Sequence, residues 1–347
     1  MNPFVLTTLI SSLGLGTAIT FSSSHWLLAW MGLEINTLAI LPIMSNSHHP
    51  RAVEATTKYF ITQATAAALI LFASTTNAWM TGEWDIKQMT SPTSTSIATM
   101  ALALKLGLAP VHFWLPEVLQ GLDLTTGLIL STWQKLAPLA LIVQMPQMNP
   151  MIMTTLGFLS MLVGGWGGLN QTQLRKILAY SSIAHLGWMV IVVQFDPLLT
   201  LLSLALYISM TTSAFMTMNT TNSKTMNSLA NSWSKSPAMA SFFPLIMLSL
   251  AGLPPLSGFM PKWLILQELT KQHLPFIATL SALSALISLY FYLRLTYAMT
   301  LTQSPNTTPA TAPWRLNTKK TTLPLAAAIS LTTFLLPLTP TIQGILH

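Results

Sequence analysis

The sequence predicts an all-α fold: a polytopic membrane bundle of about eleven transmembrane helices, arranged as two inverted five-helix repeats that each contain a broken helix. Three observations predict this fold class. Only 7% of the 347 residues are charged and 52% are hydrophobic, the apolar segments are long and continuous, and two of them contain the same Gly/Pro motif. A soluble domain carries about a quarter charged residues, so we expect no segment to fold as a soluble domain.

The apolar segments predict the helices, because a transmembrane helix needs about 20 mostly apolar residues. Spans are predicted at about 3–21, 25–45, 57–80, 94–122, 125–146, 149–170, 174–194, 198–220, 239–271, 275–301 and 322–343. Transmembrane β-strands are not expected, since they would alternate polar and apolar residues over about ten positions. The opening MNPFVLTTLI is interpreted as the first span and not as a signal peptide, because it has neither a basic start nor a small-residue cleavage site.

The loop cations predict the orientation, because Lys and Arg accumulate on the cytoplasmic or matrix side of a membrane. With an odd number of spans, the N-terminus and the even-numbered loops share one side, which holds Arg51, Lys58, Arg175, Lys176, Lys224, Lys235, Arg315, Lys319 and Lys320. The other side holds Lys87 and Lys271. We therefore expect the N-terminus on the positive side. The net charge of +7 reflects this topology, and no nucleic-acid partner is expected.

Two related motifs interrupt the fourth and ninth spans: GLAPVHFWLPE at 107–117 and GLPPLSGFMPK at 252–262. Each lies in the fourth helix of a five-span unit, and units with five spans enter the membrane from opposite sides. The sequence thus predicts one membrane domain, 1–347, with a first inverted repeat at 1–146 and a second at 149–301. A polar loop and a C-terminal helix, 302–347, would follow. The alternative is a chance coincidence of prolines that merely kink two helices.

Four charged residues lie deep within predicted spans: Glu34, Lys105, Lys135 and Lys262. A charge at a helix centre costs about 2.5–3.5 kcal/mol, so these groups must pair or meet water. Intramembrane charges of this kind indicate proton or ion pathways. The alternative for a lysine is extension to the interface. For Lys135, about ten residues on either side make that distance about 15 Å, which is too far.

Weaker site candidates are His112, His185 and Glu117. Each histidine could equally be a structural, hydrogen-bonded core residue, and Glu117 could reach the near surface. Tyr180, Ser181 and Ser182 could add hydroxyls to a proton path through the span of His185. Arg294 is interpreted as a residue near a helix end. Glu34 and Lys105 have opposite charge and similar predicted depth, so we expect them to face each other.

Several chemistries are not predicted. The sequence contains no cysteine, which removes thiolate metal sites, thiolate-ligated iron–sulfur clusters and disulfides. The glycine-rich segments GLGLGTAI and GGWGG lie within spans and follow no strand, so neither is expected to bind a dinucleotide. The polar loops 221–238 and 302–321 are interpreted as solvated or partner-covered, with specific docking to another subunit as the alternative. We expect no cofactor or metal on this chain.

Five segments carry a resemblance to a known family: MGLEINTLAILPIM, ALALKLGLAPVHFWLPEVLQGL, LSTWQKLAPL, NQTQLRKILAYSSIAHLGWM and LSLAGLPPLSGFMPKWLIL. In these segments the chain resembles the antiporter-like membrane subunits of the mitochondrial NADH–ubiquinone oxidoreductase, respiratory complex I. The resemblance covers essentially the whole chain, and Lys262 and the short length favour one branch of the family. Many relatives carry histidine where this chain has Gln120, so no relay role is carried over to that position.

The resemblance implies a multi-pass subunit of the mitochondrial inner membrane, with its N-terminus in the matrix and its C-terminus in the intermembrane space. It would take part in redox-driven proton translocation, while NADH, flavin, iron–sulfur clusters and ubiquinone belong to other subunits. Its partners would be sister antiporter-like subunits, other subunits of the complex and membrane lipids. Two alternatives remain open: a stand-alone cation/proton antiporter, which would need an oxygen-ligand ion site, and a passive scaffold, which would not need buried lysines.

Overall fold

A computed structural model describes residues 2–46, 48–145, 148–234, 236–301 and 323–346. These residues form α-helices and short 3-10 turns, with no β-strand and two isolated β-bridges among them. The helices are α1 Pro3–Ser22, α2 Trp26–Met44, α3 Pro50–Thr81, α4 Pro92–Leu106, α5 Trp114–Gly121, α6 Leu124–Gln144, α7 Pro150–Gly168, α8 Leu174–Val192, α9 Pro197–Thr221, α10 Met226–Ala230, α11 Pro237–Ala251, α12 Phe259–Lys271, α13 Pro275–Thr300, α14 Leu323–Phe334 and α15 Thr339–Leu346. The predicted all-α fold class is confirmed.

Seven of the described helices are long and apolar enough to cross a membrane: α1, α2, α3, α6, α7, α9 and α13. The predicted fourth and ninth spans are the broken pairs α4–α5 and α11–α12, and α8 occupies the seventh. The last predicted span, 322–343, is not one helix, because the chain bends by 68° after α14. Pro337 lies in the 3-10 turn at this bend, where its missing N–H cannot continue the helix.

Proline marks where many helices begin, and this accounts for part of the proline content. Helices α1, α3, α4, α7, α9, α11 and α13 all begin at a proline, whose missing donor would have no helical partner at that position. Asp196 caps α9 by accepting the backbone N–H groups of Leu198 at 2.9 Å and Leu199 at 3.2 Å. Helix α3 starts at Pro50, earlier than the predicted residue 57, because its first turns are too polar for a hydropathy criterion to include.

The chain divides into two compact units, Met1–Ser160 and Met161–His347. In the first, α1 and α2 cross at two glycines: a Cβ on Gly16 would lie 2.9 Å from the carbonyl oxygen of Gly32, and one on Gly32 would lie 2.8 Å from that of Gly16. In the second, a Cβ on Gly164 would lie 2.7 Å from the backbone nitrogen of Ala184. Small residues thus let the helix backbones touch inside each unit, as in many membrane bundles.

Each unit also contains one short antiparallel bridge, in corresponding places. In the first unit His25, before α2, pairs with Asp85, after α3. In the second unit Gln173, before α8, pairs with Thr225, after α9. Each bridge has two matching backbone hydrogen bonds. In the first unit, the N–H groups of Trp26 and Ile86 donate to the carbonyls of Trp84 and Ser24. In the second unit, the N–H groups of Leu174 and Met226 donate to the carbonyls of Lys224 and Thr172. This shared internal detail supports a repeat, while the inverted relation of the units stays a prediction.

Candidate functional site

Both predicted breaks, Gly107–Pro110 and Gly252–Pro255, are non-helical, as expected. The φ angle is 80° at Gly107 and 83° at Gly252, a left-handed conformation that glycine adopts readily. In each break the N–H groups of the glycine and of the following leucine donate to carbonyls in the last turn of the preceding helix. This is the hydrogen-bonding pattern of a glycine C-cap, and it lets each helix end inside the bundle with those groups satisfied.

An aromatic side chain closes the first break. The indole nitrogen of Trp114, at the start of α5, donates to the carbonyl of Leu104 in α4 at 3.1 Å. A Cβ on Gly107 would lie 3.0 Å from a methyl carbon of Leu115, so α5 folds closely over the end of α4. His112 lies within this break, is 4% exposed, and its ring lies 4.3 Å from that of Phe113.

A lysine closes the second break. The ammonium of Lys262 in α12 donates to the carbonyl of Ala251, the last residue of α11, at 2.7 Å. A Cβ on Gly252 would lie 3.0 Å from the Lys262 Nζ, so glycine is needed for this contact as well as for the backbone turn. A cation at a helix C-terminus also interacts favourably with the helix dipole. Lys262 is half-buried and therefore stabilises the break directly.

The first unit brings two of the predicted lysines to one cavity. Lys105 from α4 and Lys135 from α6 are 5% and 2% exposed, and both line an internal cavity of about 20 Å³. The remaining polar lining comes from α2, α3 and α6, and consists of Asn36, Thr37, Tyr59, Gln63 and Gln134. About 10–15 Å³ of such space suffices for a water molecule. The structure therefore places two lysines on one small polar cavity.

Four residues that line this cavity each have one buried polar atom with no hydrogen-bond partner among the described residues. These atoms are the Lys105 Nζ, the Gln63 Nε2, the Gln134 Nε2 and the Asn36 Oδ1, of which the Asn36 Oδ1 lies against Gly16 of α1. A buried polar atom without a partner costs about 1–3 kcal/mol, and native proteins rarely leave several together. The cavity is thus chemically matched to a hydrogen-bonding occupant.

Glu34 lies beside this cavity on α2. The hydroxyl of Thr37, which lines the cavity, donates to the Glu34 Oε2 at 3.0 Å. The negative charge of Glu34 interacts with Lys105 and also with the buried Tyr59. Glu34 is half-buried, so its side chain is less enclosed within the first unit than either lysine. Glu34 therefore lies within electrostatic range of Lys105, while the prediction that the two side chains face each other stays a prediction.

In the second unit, His185 belongs to a separate polar cluster. Its ring lies 5.6 Å from the ring of Tyr207 on α9, and Tyr207 forms a hydrogen bond with Ser182 of α8. The adjacent Ser181 forms one with Tyr292 of α13. Both tyrosines are 1% exposed. Two of the three hydroxyls expected in this span, those of Ser181 and Ser182, are thus joined to tyrosines that come from other helices.

Two candidates lie elsewhere. The Glu117 side chain is 54% exposed, and its Oε2 pairs with the Lys58 ammonium at 2.7 Å. Glu117 therefore lies at the surface of the first unit. Lys58 also pairs with Glu54 at 2.8 Å. Arg294 is half-buried and lies two turns before the end of α13, where its Nη1 donates to the carbonyl of Leu169. Neither side chain lines the lysine cavity.

No group of three or more His, Cys, Asp and Glu residues that could hold a metal ion occurs within the described ranges. Among the described residues, no carboxylate lines the cavity in the first unit, although carboxylate oxygens are among the ligands that a hard cation prefers. Its two lysines would repel a cation in their charged form. The arrangement is suited instead to holding, releasing and passing protons.

Some cavity residues were not predicted as site residues: Asn36, Gln63, Gln134 and Tyr59. The signal in the sequence is an amide side chain within an apolar run, as in FITQATAAALIL, or directly beside a buried lysine, as in TWQKLAPL. That signal is weak, because polar side chains within a span can also bond to a neighbouring helix. Only the packing of α2, α3 and α6 shows that these amides share a cavity.

Similarity to known proteins identifies the class of membrane protein to which the chain belongs. The profile of the NADH:quinone oxidoreductase/Mrp antiporter transmembrane family matches residues 23–288. A membrane subunit in a solved structure of respiratory complex I from Thermus thermophilus with bound aureothin is similar with a TM-score of 0.86 and 27% identity, over 98% of this chain and 79% of that one. A chain of the Mrp complex from Dietzia has a TM-score of 0.83 at 17% identity, over 97% and 76%, which shows the shared fold alone. The family profile and the fold thus define an antiporter-like membrane subunit.

Relatives with higher sequence identity identify the branch of this family to which the chain belongs. NADH-ubiquinone oxidoreductase chain 2 of Oncorhynchus mykiss is 71% identical over 100% of this chain and 99% of its own length. The chain 2 protein of Danio rerio is 65% identical over 99% of both chains, and residues 289–343 match the profile of the NADH dehydrogenase subunit 2 C-terminus. The chain belongs to the chain 2 family of NADH–ubiquinone oxidoreductases. The resemblance inferred from the residues is confirmed.

Proposed function

We propose that this chain is a proton-carrying membrane subunit of NADH–ubiquinone oxidoreductase, in which Lys105 and Lys135 exchange protons and Glu34 controls their charge. The observation that carries the proposal is the joint placement of both lysines on one buried polar cavity. Lysine suits this role because burial opposes its charge and a nearby carboxylate favours it. A change in the distance between Glu34 and Lys105 would therefore load or unload Lys105.

The two broken helices carry charged residues of the proposed proton path. Each break ends a helix within its span, with the N–H groups of the glycine and the following leucine bonded to the preceding turn, and non-helical backbone within a membrane is tolerated where protein or water satisfies it. Lys105 lies two residues before the first break, in the last turn of α4. Lys262 closes the second break by binding the Ala251 carbonyl. Release of that contact would free the ammonium of Lys262 to exchange a proton, with His185 and its hydroxyl cluster as further members of the path.

Electron transfer belongs to other subunits in this proposal. The sequence has no cysteine, the usual ligand of iron–sulfur clusters, and it has no dinucleotide-binding motif. NADH, flavin, iron–sulfur clusters and ubiquinone would act on those subunits, and their redox energy would drive the proton steps here. The partners are the other subunits of the complex, including sister antiporter-like subunits, together with membrane lipids.

The chain would lie in the mitochondrial inner membrane as a multi-pass subunit. The loop cations support a matrix location for the N-terminus and an intermembrane-space location for the C-terminus. Lys235, Arg315, Lys319 and Lys320, which contribute to this bias, lie outside the described residues, as does the whole loop 302–321. The opposite orientation would place most loop cations on the wrong side of the membrane.

Replacement of Lys135 by methionine tests the proposal. Methionine keeps much of the side-chain length and removes a charge that is costly to bury, so we expect the complex to assemble. Proton uptake per assembled complex should fall at least about tenfold, as expected for the loss of an acid–base group, and NADH–ubiquinone activity should fall with it. The measurement is complex level, activity and proton uptake in one preparation.

Lys271→Met is the matched control, because Lys271 is 61% exposed at the end of α12 and its loss should leave all three quantities unchanged. Full assembly of Lys135→Met with unchanged proton uptake would remove Lys135 from the path. Failed assembly of Lys135→Met, with a normal control, would favour the scaffold alternative. Proton transport by the isolated chain would favour the stand-alone antiporter.

A further inference from the structure

The second unit contains a cleft that the function proposed above does not use. Its volume is about 490 Å³, which is within the range of ligand-binding clefts. Its polar lining consists of Arg294 from α13, Thr172 from the segment before α8, and Thr225 and Asn227 at the start of α10. Ala298, one helical turn after Arg294, forms part of the apolar lining. One arginine is thus the charged group of a cleft large enough for a ligand.

The guanidinium of Arg294 uses only part of its hydrogen-bonding capacity within the chain. Its Nη1 donates to the carbonyl of Leu169, just after α7, whereas a guanidinium carries five N–H donors. The ion pairs formed within the described ranges do not include Arg294. Arg294 is half-buried, and charges withdrawn from water are normally paired. The cleft is therefore matched to an anion.

The described part of the second unit supplies no carboxylate at this cleft. Asp196 and Glu268 are the acidic residues of that unit. Asp196 caps the start of α9, about 36 Å along that helix from the end that leads to the cleft. Glu268 pairs with Lys271 before α13 begins, and Arg294 is about 28 Å further along α13. The loop 302–321 contains no acidic residue in its sequence. The anion must therefore come from outside this unit.

An exposed apolar face of α13 leads to the same arginine. Leu283, Leu286, Tyr290 and Tyr297 are each more than half exposed, and their spacing places them on one helix face, which Arg294 flanks. Helix α13 has 26 residues and is about 39 Å long, whereas the hydrocarbon core of a bilayer is about 30 Å thick. The last turns of α13 therefore reach the headgroup region, where tyrosine is enriched.

We propose that this cleft binds the phosphate of an anionic phospholipid whose acyl chains lie along the exposed face of α13. Arginine binds phosphate through two parallel N–H bonds, and Thr172 and Asn227 provide further donors at the cleft wall. Basic pockets between transmembrane helices on the cytoplasmic or matrix side typically bind anionic headgroups, and the loop cations predict this side for the end of α13. A free phosphate ion would satisfy Arg294 and leave the apolar face uncovered, whereas a phospholipid matches both.

A density map of the assembled complex, purified with its native lipids, identifies the occupant. We expect a phosphate-shaped peak within about 3.2 Å of a guanidinium nitrogen of Arg294, with acyl-chain density continuing along Leu286 and Leu283. A protein side chain at Arg294, from a neighbouring subunit or from the loop 302–321, would overturn the inference. An isolated ion without acyl-chain density would also overturn it. This measurement uses the unmodified complex and does not depend on whether any variant folds.

Lipid binding to the delipidated complex tests the role of Arg294. The variant is Arg294→Met, and the matched control is Arg51→Met, because Arg51 is an exposed arginine on the same predicted side that does not line the cleft. Phosphatidylglycerol is the probe, and bound lipid per complex is counted by mass spectrometry. We expect one tightly held phosphatidylglycerol to bind at least about tenfold more weakly in Arg294→Met, because charge-assisted hydrogen bonds are lost, and to bind normally in Arg51→Met.

Three outcomes of this titration would overturn the inference. Equal phosphatidylglycerol binding in all three complexes would remove Arg294 from any lipid site. Equal losses in both variants would show attraction to positive charge in general. Displacement of the lipid by an equal concentration of inorganic phosphate would make a free anion the occupant.

Ala298→Phe provides a second variant in case Arg294→Met does not assemble. The new ring would fill part of the cleft while Arg294 keeps its charge, so we expect the same loss of phosphatidylglycerol. Unchanged lipid binding in assembled Ala298→Phe would overturn the inference. None of these measurements reads proton uptake, so their failure is distinguishable from failure of the proposed function, which Lys135→Met tests.

Discussion

The two broken helices have the same backbone and different chemistry. Both end at a left-handed glycine, with the same hydrogen bonds to the preceding turn. In the first, Lys105 is buried just before the glycine, and the charged residue after the break, Glu117, is exposed. In the second, Leu250 occupies the position of Lys105, and Lys262 occupies that of Glu117 and binds back to the break. A repeated backbone motif therefore specifies where a helix stops and leaves the placement of charge free.

The difference extends to how each break is closed. The indole of Trp114 closes the first break, whereas the ammonium of Lys262 closes the second. The indole of Trp114 is neutral and does not exchange protons. The hydrogen bond that closes the first break therefore does not change when protons move. A lysine cap loses its charge when it releases a proton and its hydrogen bond then weakens, because hydrogen bonds from charged donors are about twice as strong. We therefore expect the second break to be the one that responds to proton transfer.

The largest expected effect is that of Gly258→Ala. A Cβ there would lie 1.8 Å from the carbonyl oxygen of Ser249, while the first break accommodates Phe113 at the equivalent position. Because the new Cβ would clash with a backbone atom, we expect the free energy of unfolding to fall by about 3 kcal/mol or more. We therefore expect little assembled complex, measured by native gel. The control is Gly14→Ala, whose Cβ would meet nothing within 4 Å. Normal assembly of Gly258→Ala would contradict a close backbone contact between Gly258 and Ser249.

An intermediate effect is expected from Gly252→Ala when it is compared with Gly107→Ala. Both glycines have φ near 80°, where a side chain is strained. We therefore expect the free energy of unfolding to fall by about 1–2 kcal/mol in each variant. Only at Gly252 would the new methyl press on the Lys262 ammonium. We expect similar assembly of both variants, and lower proton uptake per assembled complex in Gly252→Ala. Equal uptake per complex would contradict a functional role for the Lys262 contact.

The smallest effect is expected from Glu117→Gln, the counterpart of a change at Lys262. Glu117 pairs with Lys58 where both side chains are about half exposed, and exposed ion pairs are screened by solvent. Assembly, NADH–ubiquinone activity and proton uptake should all stay within error of the unmodified complex. A clear fall in uptake with normal assembly would place Glu117 in the path and make the two breaks functionally equivalent.

Much of the fold was predictable, because hydropathy and Gly/Pro chemistry act over short stretches of chain. The span positions, the two breaks and the buried lysines all follow from such local signals. The bend after α14 was not predicted, since Pro337 could equally have produced a mild kink. The roles of Glu117 and Lys262 were also not predictable, because the two residues occupy equivalent motif positions and differ only in what surrounds them.

By itself, the sequence determined the all-α membrane fold, the left-handed glycines that end α4 and α11, and the costly charges in the spans. These depend on transfer of side chains into lipid and on allowed backbone angles, which are local quantities. Only the tertiary structure decided that Lys105 and Lys135 share a cavity with three amides, and that Lys262 caps its own break. Those relations require residues far apart in sequence to converge, and convergence depends on how closely the helices pack at contacts such as Gly16 with Gly32.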